Sequence, residues 1–504
     1  MHRNFFVRGI VILILALLTF GKPAYVSALA TCTHFVSTTG NNANPGTQVL
    51  PWKTFQKAAN SAKPGNVICL RAGVYTEVVT INVSGSASGG VITFQSYPGE
   101  TAILDGSALV VPNGWAPLIR IRNKSYLPIQ NLEIRNYRSA LVDRIPIGIM
   151  LEGYGSNIQV RNNQIHHIET NYLGINGGDA HGIAVYGTAA PQAWTNIIIA
   201  SNNLHHLKLG SSESLVINGN VTGWQVVGNR VHDNNNIGID AIGFEGTSPD
   251  PNYDQARNGL IRGNLVYNID SSTNPAYSGQ RSADCIYVDG GRKIVIERNT
   301  AHHCNIGMEL ASEHSGRATS DVTLRNNFIF ANSQVGIAIG GYDTARGRTE
   351  RCYIINNTLY NNDTNHAGGG ELLIQYDTRS NVIKNNIFYA NTQKLFISSW
   401  SNVMTANFVN YNMYYVPWAG GKWQWKNIEY SSFSAYKNAS GNDANSFNQV
   451  NPLFVNLLGP NLHLQTTSPA INRGETLASF GALDIDGNTR LLGPAVDLGA
   501  DEVR

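Results

Sequence analysis

The sequence predicts an all-β protein: a parallel β-helix, or solenoid, with a short N-terminal capping helix. Two observations carry this. A short motif centred on asparagine recurs at intervals between 26 and 40 residues, and each recurrence brings short strands of alternating polarity with no helical period. A third observation agrees: 504 residues with 50 glycines, 42% hydrophobic and 14% charged, are readily absorbed by one elongated repeat fold. The formal net charge of +2 gives no basic stripe for nucleic acid and no acidic tail.

In chain order, Arg3 and Arg8 precede the apolar run Ile10 to Phe20, eleven residues long, and "ALA" at Ala28 to Ala30 fits a signal-peptidase site. Eleven residues are too few to span a bilayer, which takes about twenty. Residues 1–30 are therefore expected to be a signal peptide, and the mature protein a secreted monomer with no membrane span. Cys32 follows at once, as in a lipoprotein, yet Thr31 is a poor residue before a lipidated cysteine. In an oxidising compartment Cys32–Cys69 is the expected disulfide, closing the first coil, and Cys285–Cys304 is a second candidate. With five cysteines one at least stays unpaired, and none has metal-ligand spacing.

Residues 31–130 read as the N-terminal cap and first coils. "PWKTFQKAANSA", Pro51 to Ala62, sets Trp52, Phe55, Ala58 and Ala59 at helical spacing, as suits a helix covering the open end of the solenoid. Residues 131–402 read as the central coils. There "RNNQIHH", "SNNLHHL", "GNRVHDN", "GNLVYNI", "RNTAHHC", "RNNFIFA", "NNTLYNN" and "NNIFYAN" align on Asn163, Asn203, Asn229, Asn264, Asn299, Asn327, Asn357 and Asn386. An asparagine column of this kind caps each turn by bonding to backbone groups of the next coil. Three residues on stand His166, His206, His232, Tyr267, His302, Phe330, Tyr360 and Tyr389, which read as an aromatic stack. Histidine pairs such as His166–His167 invite a metal reading, but Tyr and Phe take the same register, which favours stacking.

The segment "FVSTTGNNANPGTQVLPWKTFQKAANSAKPGNVICLRAGVYTE", Phe35 to Glu77, resembles the opening of secreted right-handed β-helix proteins of the pectate-lyase-like superfamily, family-nine polysaccharide lyases among them. "NPLFVN…NLHLQTTSPAINRGE…DIDGNTR…AVDLGADE", Asn451 to Glu502, resembles the C-terminal coil of surface and secreted β-helix proteins, so residues 450–504 are expected to form C-terminal coils and a cap. The resemblance is specific for fold and implies an extracellular polysaccharide as partner. Between ladder and cap, residues 403–449 form an aromatic-rich excursion whose Trp418, Trp423 and Trp425 suit either sugar stacking or a loop folded over the helix edge.

The second strand of each coil fixes which side chains face out. Taking Ile183/Val185, Leu215/Ile217, Ile239/Ala241, Ile286/Val288, Met308/Leu310, Ile337/Ile339 and Leu372/Ile374 as inward pairs leaves Ala184, Val216, Asp240, Tyr287, Glu309, Ala338 and Leu373 outward. Asp240, Asp289 and Glu309 thus arise on three successive coils of one sheet, exposed on its outer face. Asp240 and Glu309 lie two rungs apart, roughly 10 Å between backbones, with Tyr287 between them. Glu245 and Glu313 follow the same strands, and His314, Arg317, Arg281, Arg346 and Arg348 stand in adjoining turns. Like charges so close cost free energy unless a proton, a cation or a substrate uses them.

Two chemistries fit this set. In the first, Asp240, Asp289 and Glu309 bind Ca²⁺, which neutralises a uronate carboxylate and acidifies its C5 proton for β-elimination. The resemblance to family-nine lyases implies this route with a lysine base. No lysine lies on the outward face, however, which leaves Arg317 or Arg281 for the base. In the second, two carboxylates act as acid and base in an inverting glycoside hydrolase. On the lyase reading Asp240, Asp289, Glu309 and Arg317 are catalytic, and Tyr287, Glu245, Glu313, His314 and Arg281 bind substrate. The sequence leans narrowly towards the lyase. A non-catalytic polysaccharide-binding surface protein is the third class, and it predicts aromatics and amides on the long face rather than clustered acids.

Overall fold

A computed structural model describes residues 31–175 and 177–504; the expected signal peptide lies outside the described residues. Three long sheets of 17, 13 and 13 strands run the length of the molecule, and each coil contributes to them in turn. One coil, for instance, passes through Arg257–Arg262 in the first sheet, Leu265–Ile269 in the second and Asp284–Asp289 in the third. Pairing between successive coils is parallel throughout the solenoid, so the chain is a right-handed parallel β-helix. No helix of the described residues is long and apolar enough to cross a membrane.

The register matches the one read from the sequence. In the third sheet Ile183, Leu215, Ile239, Ile286, Met308, Ile337 and Leu372 pair in succession, and each is fully buried. Each such aliphatic side chain stabilises the fold by about 1.5–3 kcal/mol. Glycine serves close packing at Gly238, where a Cβ would lie 2.6 Å from the carbonyl oxygen of Cys285 on the next coil.

The asparagine ladder is continuous from Asn163 through Asn202, Asn229, Asn264, Asn299, Asn327, Asn357 and Asn386 to Asn412. Each Nδ2 donates to the Oδ1 of the next rung and to a main-chain carbonyl of the coil before, as Asn264 does to Asn299 and to Val226. One rung of the sequence alignment shifts: Asn202, rather than Asn203, is the ladder residue. In "SNNLHH" either asparagine fits the motif, and the inward Leu204, paired with Ile165 and Val231, decides between them. The same one-residue shift puts His205, in place of His206, in the aromatic stack. Rings of His166, His205, His232, Tyr267, His302 and Phe330 follow at 4.7–5.2 Å, close to the rung spacing. The neighbouring histidines 167, 206 and 303 adopt φ of 54–56°, a left-handed conformation that His, Asn and Asp tolerate better than most residues.

Both ends are closed. Helix α1, Phe55–Ser61, buries Phe55, Ala58 and Ala59 over the first coils, with the Thr54 side chain as its N-cap. At the other end Lys422–Trp425 turns back antiparallel with Ile428–Tyr430, and helix α2, Phe433–Ser440, packs beneath it. Trp423 lies between Phe396, Phe433 and Tyr436 and is 1% exposed. Of the two roles open to the excursion, Trp423 and Trp425 take the structural one. Residues 451–504 add no strand to the three sheets. They run back along the outside, where Phe454, Leu462 and Leu498 cover Phe328, Phe330 and Tyr389. Disulfides join Cys32 to Cys69 and Cys285 to Cys304, and Cys352 is a buried free thiol.

Candidate functional site

The central rungs of the third sheet carry the acids. Asp240 pairs with Tyr287 and Tyr287 with Glu309, so the two carboxylates are two rungs apart as expected. The rungs directly before and after offer Val216 and Ala338 at the same positions, so apolar residues flank the acids on both sides. One expectation fails: these acids are not exposed. Asp240, Asp289 and Glu309 retain 2%, 3% and 6% of their surface. They point away from the solenoid core, but the turns that leave and enter the third sheet rise around them. The sequence gives the direction of a side chain along a strand, whereas the height of neighbouring turns is a tertiary property.

Those turns add residues that the alternation does not reveal. Asp284, 2% exposed, begins the strand Asp284–Asp289, where the period-two pattern breaks because Cys285 and Ile286 both enter the core. Glu213 and His181 stand on the preceding coils: His181 Nδ1 lies 3.5 Å from a Glu213 carboxylate oxygen, and its Nε2 lies 3.3 Å from the Tyr186 hydroxyl. Tyr277 closes the same side, accepting at its hydroxyl from Asn236 Nδ2 at 3.0 Å. The signal for Asp284 was available in "SADCIYVDGG", as the first residue of the strand; Glu213 and His181 sit at a turn and a strand end, where no periodicity marks them.

Electrostatics follow from enclosure. Burial, reinforced by the charges of Glu213, Asp289 and Asp284, holds the Asp240 carboxyl well above the usual range. Burial and then Glu309 do the same to Asp284. Burial, with Glu313 next, raises Asp289 and pushes Glu309 to about 7. Asp284 and Glu309 act on each other: the Glu309 charge raises the Asp284 carboxyl, while Asp284 lowers that of Glu309. Gln375 Nε2 donates to the other side of Glu309 at 3.3 Å. Asp240 Oδ1 and Asp284 Oδ1 are both buried without a partner, so two acceptors in the floor of the site are free. Burial also holds His181 at about 4, a neutral imidazole at ordinary pH.

The mouth of the site is formed by Glu245, Asp289 and His314, whose ligating atoms lie within 4.8 Å of one another. Asn218 Nδ2 donates to Glu245 at 2.7 Å, and Asp289 accepts the Glu313 amide at 2.7 Å. The arginines expected as bases stand elsewhere. Arg281 is tied to Asp270 at 2.9 Å, and Arg317 lies over the Phe244 ring at 4.9 Å, lining a separate small cavity. Arg346 is the cation Glu313 feels, its guanidinium donating to the Glu313 carbonyl oxygen at 3.4 Å. Arg348 is paired with Glu350.

Comparison with known proteins agrees with the architecture. A profile of the family described as Pel9A-like, right handed beta helix region matches residues 34–203, and the right handed beta helix region profile matches 175–359 and 278–434. The protein YwoF of Bacillus subtilis (strain 168), described as uncharacterized, is 40% identical over 437 residues, which is 86% of this chain and 91% of that one. Pectate lyase PEL9 of Emericella nidulans is 26% identical over 155 residues, 30% of this chain and 37% of that one. Among solved structures, the lacto-N-biosidase GH136 from Eubacterium ramulus superposes with a TM-score of 0.51 at 14% identity, over 75% of this chain and 67% of that one. It shares the fold.

Proposed function

This chain belongs to the pectate-lyase-like right-handed β-helix family, and on that footing we propose that it is a carbohydrate-active enzyme cleaving an extracellular polysaccharide in the acid groove of its third sheet. The two disulfides support action in an oxidising compartment outside the cell. The observation that carries the reading is the enclosure of Asp240, Asp284 and Glu309 on three successive rungs of the third sheet, all nearly without exposed surface, in a cluster without a lysine. A carboxyl group kept protonated near neutral pH by burial is what a general acid needs.

Hydrolysis is the reaction this arrangement supports best. Glu309, holding its proton to about 7, donates to the glycosidic oxygen as the bond breaks. Asp240, on the other side of Tyr287, is the second carboxyl; burial and its acid neighbours favour its protonated form, so it takes a proton from the attacking water only from its ionised form. Inverting hydrolysis places its two carboxyl groups about 6.5–9.5 Å apart, a span that side chains two rungs apart can meet. Tyr287 between them, expected to bind substrate, is 4% exposed and packs with Ile237 and Ala311, so it separates the two carboxyls instead.

Elimination is the second reading, favoured by the Pel9A-like match and by the mouth geometry of Glu245, Asp289 and His314. With Asp240 and Glu309 behind them, these residues present the oxygen-rich set a Ca²⁺ ion prefers, and the free Asp240 Oδ1 fits that role. A bound Ca²⁺ would supply charge neutralisation for a uronate carboxylate. The two readings separate in one digest of neutral and uronic-acid polysaccharides. Hydrolysis predicts new reducing ends without ultraviolet absorbance of an unsaturated uronate, insensitive to a chelator. Absorbance that appears only with calcium supports elimination. Neither product on a broad panel leaves the chain a binding protein. Asp240→Asn and Glu309→Gln should each lower the rate by about 10²–10⁴-fold.

A further inference from the structure

A sizeable cavity lies outside the acid groove. It measures about 650 Å³ and is lined by His167, Tyr172, Leu173, His206 and the turn around Pro275, among others. That is within the range of roughly 300–1,000 Å³ typical of small-ligand pockets. One turn separates it from the groove. Pro275 and Ala276 face the cavity, while Tyr277 at the end of the same turn feels the charges of Glu213, Glu313 and Asp284. The partition is fixed: Gly210 accepts from both Asn274 and Asn236, and Asn236 also holds Tyr277.

The chemistry of the lining narrows the ligand. Each acid in the wall already has a partner: Glu169 lies 3.3 Å from Arg138 and 3.6 Å from Lys208. Asp233 accepts from Asn268 at 2.9 Å beside His232, and Asp270 binds Arg281 and Asn305, both at 2.9 Å. No net charge is left over to select an ion. The wall offers amides and imidazoles alternating with apolar surface, and Leu173 is 83% exposed at the rim, an apolar face with nothing packed on it. Hydroxyls to satisfy polar groups and a C–H face to cover an apolar one are the two surfaces of an uncharged sugar ring.

We propose that this cavity is a second saccharide site, which holds a neutral segment of the polymer beside the catalytic groove. The inference rests on the reading of the chain as polysaccharide-active, and extends it to a residue set outside the acids. The test is native gel electrophoresis through soluble arabinoxylan, galactan and mixed-linkage β-glucan, with polygalacturonate and alginate as the charged comparison. It uses the Asp240→Asn/Glu309→Gln protein, so that binding is read without turnover. Into this background go Leu173→Asp, which removes the apolar rim, and Thr273→Trp, which fills the cavity from an exposed position. The expected result is retardation by at least one neutral polymer, with the apparent dissociation constant raised about tenfold or more by either substitution. Retardation unchanged by both substitutions, retardation by polyuronates alone, or none by any polymer overturns the proposal. Failure of the wild type to cleave any polymer counts against the catalytic reading alone, because binding is measured in a protein that need not turn over.

Discussion

Replacing Glu309 with glutamine removes one buried proton site and relieves Asp284 of the charge that helps to raise it, which acts in the same direction. Burial first, and the charge of Glu313 second, raise this carboxyl from 4.5 to about 7. A group whose folded pKa is raised binds its proton more tightly in the native state. Its contribution to stability is therefore fully present below the unfolded value and is lost as pH rises through the folded one. The window runs from 4.5 to about 7. Between about pH 5 and pH 8.5 the wild type should lose about 2–3 kcal/mol that Glu309→Gln does not lose. The side chain is wholly enclosed, so no discount for solvent screening applies. The folded unit, Cys32 to Arg504, has roughly 470 residues, and unfolding entropy of about 2.1 cal/mol/K per residue gives on the order of 1 kcal/mol per degree. The difference in Tm shift between the two proteins is then about 2–3 °C. Calorimetry of both at one scan rate, at the two pH values, measures it. Parallel shifts in wild type and variant would refute the buried-proton account, and with it the assignment of Glu309 as the acid.

Three further substitutions probe the scaffold. Asn264→Ala strands the Asn229 amide and the Val226 carbonyl oxygen, both of which Asn264 satisfies at 2.8–3.0 Å, and should cost about 3 kcal/mol in chemical denaturation; a cost below about 1 kcal/mol would mean the ladder is dispensable at that rung. Cys285→Ser/Cys304→Ser opens a loop of 19 residues beside the acids, a loss of about 3 kcal/mol by the loop-entropy estimate; equal denaturation midpoints with and without the bond would contradict it. Trp423→Ala leaves a hole between Phe396, Phe433 and Tyr436 at the C-terminal cap. Its cost should be about 3–5 kcal/mol, read as a lower midpoint in thermal melting, and an unchanged midpoint would return Trp423 to the surface role.

Most of the fold was legible because a β-helix repeats the same constraint at every coil. The inward Ile239, Ile286 and Met308 must be apolar, and their spacing in sequence sets the register without any long-range knowledge. Where a rung is ambiguous, as in "SNNLHH", the local motif allows Asn202 or Asn203, and only the pairing of Leu204 with its neighbours on both sides resolves it. The C-terminal segment shows the opposite limit. "NLHL" alternates as a coil strand would, yet Asn461–Leu464 pairs antiparallel with Phe454–Asn456 and packs on the outside, because nothing local specifies which sheet edge a strand joins.

The enclosure of the acids was written in the sequence in a form that alternation cannot read: coil length. Ladder residues are separated by 27 positions from Asn202 to Asn229, by 35 to Asn264, by 35 again to Asn299, and by 28 to Asn327. A minimal coil here closes in fewer than 30 residues, so the two 35-residue coils, like the 39-residue one from Asn163 to Asn202, carry extra chain that must leave the solenoid. In the two 35-residue coils it emerges after the strand Ile239–Ile242 and before the strand Asp284–Asp289, on either flank of the carboxylates. The first excursion presents Glu245 at the mouth, and the second presents Tyr277 and Asp284. Extra loop length costs little in closure entropy, each doubling adding only about 0.6 kcal/mol, so such insertions can be retained for what they enclose. Walls on both flanks exclude water, and exclusion of water is what lifts Glu309 into the range where it holds a proton for chemistry. The position of the acids and the length of the coils beside them are thus one feature, and together they distinguish this zone of the third sheet from the apolar rungs above and below it.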